Sequence, residues 1–354
     1  MDSPIKAQGI SALLATMKGL TSSLWPIHYK PLPDEPLSSW LVRLAHGHGL
    51  KVQTFCNIIF GNRLQVWNRD IDRLGPDWLL NELIVRTGVS REIAYGTTLR
   101  AYEGVLYPEA KASGSLQWMQ TLMVYHRTRQ AFGQQFCPAC LAQGHDAYFR
   151  KSWRVSFCTI CLKHHCMLND RCPQCSAAIA FHRMHMGQGS MFEDAPLSAC
   201  YACHYDLCKT PRDTIVWYDT KAAEWLRQLH KQLDALTHSE STSITLGLSN
   251  VMRHLAGLLV SRYETVKLRE YVLNQIGVHD IELPPTRMAF ESRPLLTRHH
   301  LMQLIAWLMV DQQARLCGAW RAKAVRYNHL LKDFDDAPKW YVAIVDEFSD
   351  WRQA

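Results

Sequence analysis

Apolar side chains return every three or four residues at Leu37, Trp40, Leu41 and Leu44, a spacing that gathers them on one face of a helix. A proline-stiffened arm, "PIHYKPLPDEP", leads into it. Asp34 and Glu35 stand at its expected start, and Gly47 and Gly49 at its end. A turn is expected at "FGN", and "IDRLGPDWLLNELIVRTGVSREIAYGTTL" reads as two further short helices broken by Gly88. Short helices separated by glycine turns fit a helix-turn-helix or any other small helical bundle. Beyond Cys208, Leu226, Leu229, Leu233 and Leu236 repeat at helical intervals and predict one buried stripe. "SESTSIT" reads as a polar linker. "VMRHLAGLLVSRYE", "LTRHHLMQLIAWLMVDQQARL" and "APKWYVAIVDEFSDW" keep the helical period between proline and glycine breaks. The expected fold class is mainly α.

Cysteine density divides the chain more sharply than periodicity does. Ten of the twelve cysteines lie between Cys137 and Cys208, while Cys56 and Cys317 stand alone and read as core thiols. The expected division is an N-terminal extension (1–25), a helical, helix-turn-helix-like part (26–135), a tandem zinc-finger or zinc-ribbon unit (136–210) and a C-terminal helical domain (211–354). A chain of 354 residues is long enough for two or three such units and needs no disulfides to fold. Lys18 interrupts the short apolar stretch near the start, so no secretory signal is expected and the thiols are read as cytosolic and reduced. "LMQLIAWLMV" is about half the length of a membrane span and contains Gln303, so a soluble protein is expected. The net charge of +7 leans towards polyanionic partners, because each phosphate neutralised by Lys or Arg releases a condensed counterion.

Two thiolates separated by two residues can share one tetrahedral zinc, since the chain then turns tightly enough to aim both sulfurs at one point. The pattern recurs at Cys137/Cys140, Cys158/Cys161, Cys172/Cys175 and Cys200/Cys203, and Cys161/His164 is a fifth, overlapping pair. Two zinc ions per chain are expected. Cys172, Cys175, Cys200 and Cys203 form one set, with residues 176–199 as the loop. Spacing leaves the other set open. Cys137, Cys140, Cys158 and Cys161 would enclose residues 141–157, and Cys137, Cys140, Cys161 and His164 would enclose residues 141–160. His165, Cys166, His204 and Cys208 are left over. Catalytic zinc keeps an open position beside three protein ligands, whereas four soft ligands close the shell, so both sites are read as structural.

Between Gln312 and Lys332 stand five basic residues, Arg315, Arg321, Lys323, Arg326 and Lys332, with no acidic one. On a helix this run could follow a phosphate backbone, or simply form a solvated face. Arg150, Lys151 and Arg154 form a smaller basic patch interleaved with Tyr148, Phe149 and Trp153, aromatics read as core rather than as base-stacking platforms. The chain has no phosphate-cradling glycine loop, no HExxH and no serine elbow, so no enzymatic activity is expected.

"PLPDEPLSSWLVRLA", followed about a hundred residues later by "FCPACLAQGHDAYFRKSWRVSFCTICLKHHCMLNDRCPQCSAAI", resembles the TniQ family of transposition proteins, which includes the target selector TnsD. The family pattern falls here on Cys137 and Cys140, Tyr148 and Trp153, Cys161 and His164, Cys172 and Cys175, and Cys200 and Cys203. It spans about residues 26–205, and "VRYNHLLKDFDDAPKWYVAIVDEF" is similar to the family's C-terminal helical part. The resemblance implies Cys161 and His164 as ligands beside Cys137 and Cys140. Cys158, which the pattern does not require, is then left in the core. It also implies a non-enzymatic bacterial cytoplasmic protein, nucleoid-associated when on DNA, that connects target recognition to the AAA+ ATPase TnsC and thereby to the transposase. Such proteins either dock, often as a homodimer, on a CRISPR Cascade complex whose guide RNA reads the sequence, or read attachment-site DNA themselves as TnsD does. TnsD-like readers tend to carry a longer C-terminal part, which favours the Cascade adaptor. A zinc-containing transcription regulator would share the charge, thiols and helices but would bind a promoter without TnsC.

Overall fold

The stripe at Leu37, Trp40, Leu41 and Leu44 forms helix α1 (Leu37–Gly47), and all four side chains are fully buried. Each such burial stabilises by about 1.5–3 kcal/mol relative to exposure. The computed structural model describes residues 19–61, 66–122, 131–144, 146–187, 196–237, 241–284 and 288–348. Residues 1–18 of the expected N-terminal extension lie outside the described residues. The chain packs into two compact units, each assembled from three stretches: Met1–Ala101, Leu122–Lys151 and Asp170–Pro211 in the first, Tyr102–Thr121, Ser152–Asn169 and Arg212–Ala354 in the second. These units follow packing, whereas the boundaries read from cysteine density follow the chain.

In the first unit α1 is followed by α2 (Val52–Phe60), α3 (Ile71–Leu74), α4 (Asp77–Thr87), α5 (Arg91–Gly96) and the single turn α6 (Pro138–Leu141). The stretch read as two helices broken at Gly88 holds three. Gly75 takes a left-handed conformation (φ 45°) and Pro76 follows it, which stops α3 and starts α4. Gly88 (φ 65°) closes α4, and the Ser90 hydroxyl caps α5 by accepting from the Ile93 amide.

The start of α1 also differs from expectation, because Pro36 occupies the cap and no acidic residue lies in the first turn. Asp72, 34 positions further on, takes over that role. Its carboxylate accepts from the Ser38 amide at 2.7 Å and from the Ser38 hydroxyl at 2.8 Å. Glu35 turns to Arg43 instead, with Nε–Oε1 and Nη2–Oε2 both at 2.8 Å, and also accepts from the Ser39 hydroxyl and the Leu32 amide, each at 2.9 Å. Burial opposes the Arg43 charge, but Glu35 first, and then Asp146 and Tyr29, together more than offset it, so the Arg43 pKa is raised.

Among the described residues, the second unit contains a two-stranded antiparallel hairpin, β1 (Ile160–Cys161) and β2 (Cys166–Met167), and seven α-helices: α7 (Thr220–Thr237), α8 (Leu246–Leu259), α9 (Leu268–Ile276), α10 (Leu295–Val310), α11 (Gln312–Arg321), α12 (Tyr327–Leu331) and α13 (Lys339–Asp346). Leu226, Leu229 and Leu233 of α7 are buried as the stripe predicts, with Leu236 half-buried. α10 contains the "LMQLIAWLMV" stretch and packs against α7, α8, α9 and α11. Surrounded in this way, it is buried on nearly every face. Two of its polar side chains make hydrogen bonds inside. Gln303 accepts from the Tyr218 amide at 2.9 Å and donates to the Val216 carbonyl at 3.1 Å, and His299 Nδ1 shares a 2.9 Å hydrogen bond with the Thr159 hydroxyl. Ile160 and Met167 of the hairpin pack with Leu295 at the start of α10, which fixes the hairpin's position.

Candidate metal centres

Cys172, Cys175, Cys200 and Cys203 bring their four sulfurs within 4.8 Å of one another. Cys172 and Cys203 Sγ stand 3.6 Å apart, and Cys175 and Cys200 Sγ 3.7 Å apart. A disulfide needs about 2.05 Å. A tetrahedral zinc with Zn–S bonds of about 2.3 Å holds its sulfurs about 3.8 Å apart, so the spacing fits four thiolates around one ion. Burial pushes the Cys200 thiol up to about 12, and its thiolate form therefore calls for a cation beside it.

The two knuckles of this cluster have one backbone design. The Ser176 amide donates to the Cys172 carbonyl and the Cys172 amide to the Ala177 carbonyl. The His204 amide likewise donates to the Cys200 carbonyl and the Cys200 amide to the Tyr205 carbonyl, all between 2.8 and 2.9 Å. In both, the residue after the second cysteine is left-handed: Ser176 at φ 59° and His204 at φ 59°. The hairpin of the second unit repeats the register, with Cys161 paired to Cys166 and His165 left-handed at φ 50°. His165 and His204, left unassigned by spacing, are the residues that close these turns. Histidine adopts positive φ more readily than most residues, so a polar residue directly after the second ligand is a signal that spacing rules overlook.

Cys137, Cys140, Cys161 and His164 form the other cluster, again with ligand atoms within 4.8 Å. Cys161 Sγ and His164 Nδ1 are 3.5 Å apart, against about 3.6 Å for sulfur and nitrogen on one tetrahedral zinc. Cys137 and Cys140 are buried on the turn of α6, where the Leu141 amide donates to the Cys137 carbonyl. Cys158 points elsewhere: its buried Sγ lies 3.6 Å from His230 Nδ1 on α7. His164→Ala is therefore expected to release the zinc of this cluster, leaving about one equivalent, while Cys158→Ala retains both. Metal analysis of the two variants checks this, and the reverse pattern would establish the four-cysteine set.

Residues 26–168 match the family model described as TniQ. This segment is a TniQ family domain. The span opens at Pro26 in the proline-rich arm, contains all four residues of the Cys3His cluster and ends at Leu168, before Cys172. No curated protein matches the chain. Within the TniQ domain the "PLPDEPLSSWLVR" stretch is a packed polar network. The Trp40 indole donates to the Tyr29 carbonyl at 2.7 Å and Arg43 Nη2 to the Lys30 carbonyl at 2.9 Å. Together with Glu35, these side chains hold the arm against α1.

The basic residues separate by burial. Lys151 is 3 % exposed and donates through Nζ to the Gly96 carbonyl at 2.5 Å, and Arg154 is fully buried and donates to the Gln120 carbonyl at 3.0 Å. Both are committed to backbone inside the protein, which corrects their reading as a nucleic-acid-facing patch. Arg150 is half-buried, with its guanidinium 5.0 Å from the Tyr148 ring centroid. The run from Arg315 to Lys332 is not one helix: α11 ends at Arg321, Lys323 is left-handed at φ 56°, and Arg326 caps α12. Arg315 lies over the Trp307 ring at 4.2 Å and donates to the Trp307 carbonyl. Arg321, Lys323, Arg326 and Lys332 remain exposed. No helix among the described residues is long and apolar enough to cross a membrane.

Proposed function

We propose that this chain is a non-enzymatic target-selection adaptor of a transposon, connecting a Cascade complex and its guide RNA to the AAA+ ATPase TnsC and so to the transposase. The TniQ domain over residues 26–168 carries this reading. The two clusters support a scaffolding rather than a catalytic use of metal, since four soft ligands complete a tetrahedral zinc shell and leave no position for a reacting water. Exposed Arg321, Lys323, Arg326 and Lys332 offer charge for phosphate contacts with guide RNA or target DNA.

A tagged pull-down from the native host, with proteins identified by mass spectrometry and nucleic acid sequenced, tests the reading. Cascade subunits with guide RNA and TnsC are the expected companions. One enriched attachment-site DNA with TnsC and no Cascade would instead make the chain a TnsD-like reader. Promoter DNA without TnsC would overturn the transposition role in favour of a regulator.

A further inference from the structure

Four arginines of the second unit line one cavity of about 850 Å³, and none belongs to the features described so far: Arg253 on α8, Arg262 just beyond it, Arg269 on α9 and Arg293 just before α10. Arg253 is held by Glu291 through two bonds of 2.9 and 3.0 Å, and Arg269 by Asp280 at 3.0 Å. Arg262 is exposed and reaches the Pro284 carbonyl at 3.5 Å. Arg293 is only 7 % exposed. Its Nη2 donates to the Met288 carbonyl at 3.0 Å, while Nε and Nη1 are buried with no hydrogen-bond partner among the described residues. Burial, and then the positive charges of Arg253, Arg269 and Arg262, lower its pKa. A guanidinium nevertheless stays protonated in a protein. A buried cation with open donors is destabilising until an anion reaches it, so this cavity is short of negative charge.

We propose that the cavity binds a phosphate oxyanion, carried by a nucleic-acid strand or a free nucleotide, with Arg293 and Arg262 as its principal ligands. Planar guanidinium donors match phosphate oxygens. The volume leaves room beyond a single small anion. Tyr263, 79 % exposed, lines the same cavity beside Arg262, with Leu283 and Pro284 as an apolar wall. An open aromatic ring next to phosphate-binding arginines suits a stacked base. The inference does not depend on the transposition reading, since it rests on this cavity alone.

Fluorescence anisotropy of a short labelled oligothymidylate with the full-length, metal-loaded chain tests it, with ADP, inorganic phosphate and an acidic peptide as separate competitors. Arg293→Met is expected to weaken binding about tenfold while raising the ligand-free melting temperature, because it removes an unpaired buried charge. The exposed Arg262→Gln leaves the fold intact and is expected to weaken binding severalfold, as is Tyr263→Ala. A strand that ADP does not displace identifies the source as nucleic acid. ADP or phosphate binding that needs Arg293, without strand binding, identifies a free nucleotide. Undiminished phosphate and strand binding in both arginine variants, loss of binding confined to Arg321→Gln, or preference for the acidic peptide would overturn the proposal.

Discussion

Cys200→Ala is expected to unfold the part of the chain around residues 170–211 and to lower the melting temperature of the protein sharply. A structural zinc contributes on the order of 10 kcal/mol of folding free energy, and besides it this stretch has Phe181 stacked on Phe149, His182 stacked on Trp67 and a small apolar core of its own. Its buried apolar side chains are few: Ile179, Phe181, Met184, Leu197 and Leu207 are the larger ones among the described residues. Ordering each residue costs about 1–2 kcal/mol of backbone entropy, so a stretch of this length depends on the cluster. Removing one sulfur leaves three ligands and an uncompensated group of thiols. Limited proteolysis should then cut within 170–211. Strong chelation should produce the same fragments from the wild type, since Cys175 is exposed and Cys203 half-exposed. Cys317→Ala, outside both clusters, serves as the control and should change neither melting nor cleavage. Cys200→Ala melting like the wild type would refute the structural role of this centre.

Breaking the Glu35–Arg43 pair should have the next largest effect. Glu35 is 2 % exposed and Arg43 7 % exposed, and leaving one partner of a buried pair without the other costs about 3–5 kcal/mol. Glu35→Ala and Arg43→Ala are each expected to lower the melting temperature by roughly 10 °C. Arg43→Ala also frees the Lys30 carbonyl, so the arm before α1 should become a protease target. The combined variant Glu35→Leu/Arg43→Met should recover much of the loss, since apolar replacement of both partners removes the uncompensated charge. Strictly additive losses, measured by denaturant unfolding, would show that the two side chains do not act as a pair.

The features legible in the sequence were those whose chemistry is local. Each cysteine pair announces itself within four residues, and Leu226, Leu229 and Leu233 report a buried face through spacing alone. What stayed hidden depended on partners far along the chain. Nothing near Leu37 says that Asp72 will cap α1, and Glu35 looks like a helix-start acid until Arg43 folds back upon it. Lys151 and Arg154 read as surface charge because burial next to Gly96 and Gln120 has no local signature. The basic run up to Lys332 looked continuous because charge does not reveal a left-handed residue such as Lys323. The choice between Cys158 and His164 could not be made from spacing, which admits both, and the two side chains are separated only by where the hairpin turns: His164 towards Cys161, Cys158 towards His230.

The most direct measurement is the zinc content of the full-length chain purified without chelator, by elemental analysis against protein concentration. Two clusters that could each hold a metal ion predict two equivalents per chain if both take zinc. One equivalent or none would contradict the two-centre account.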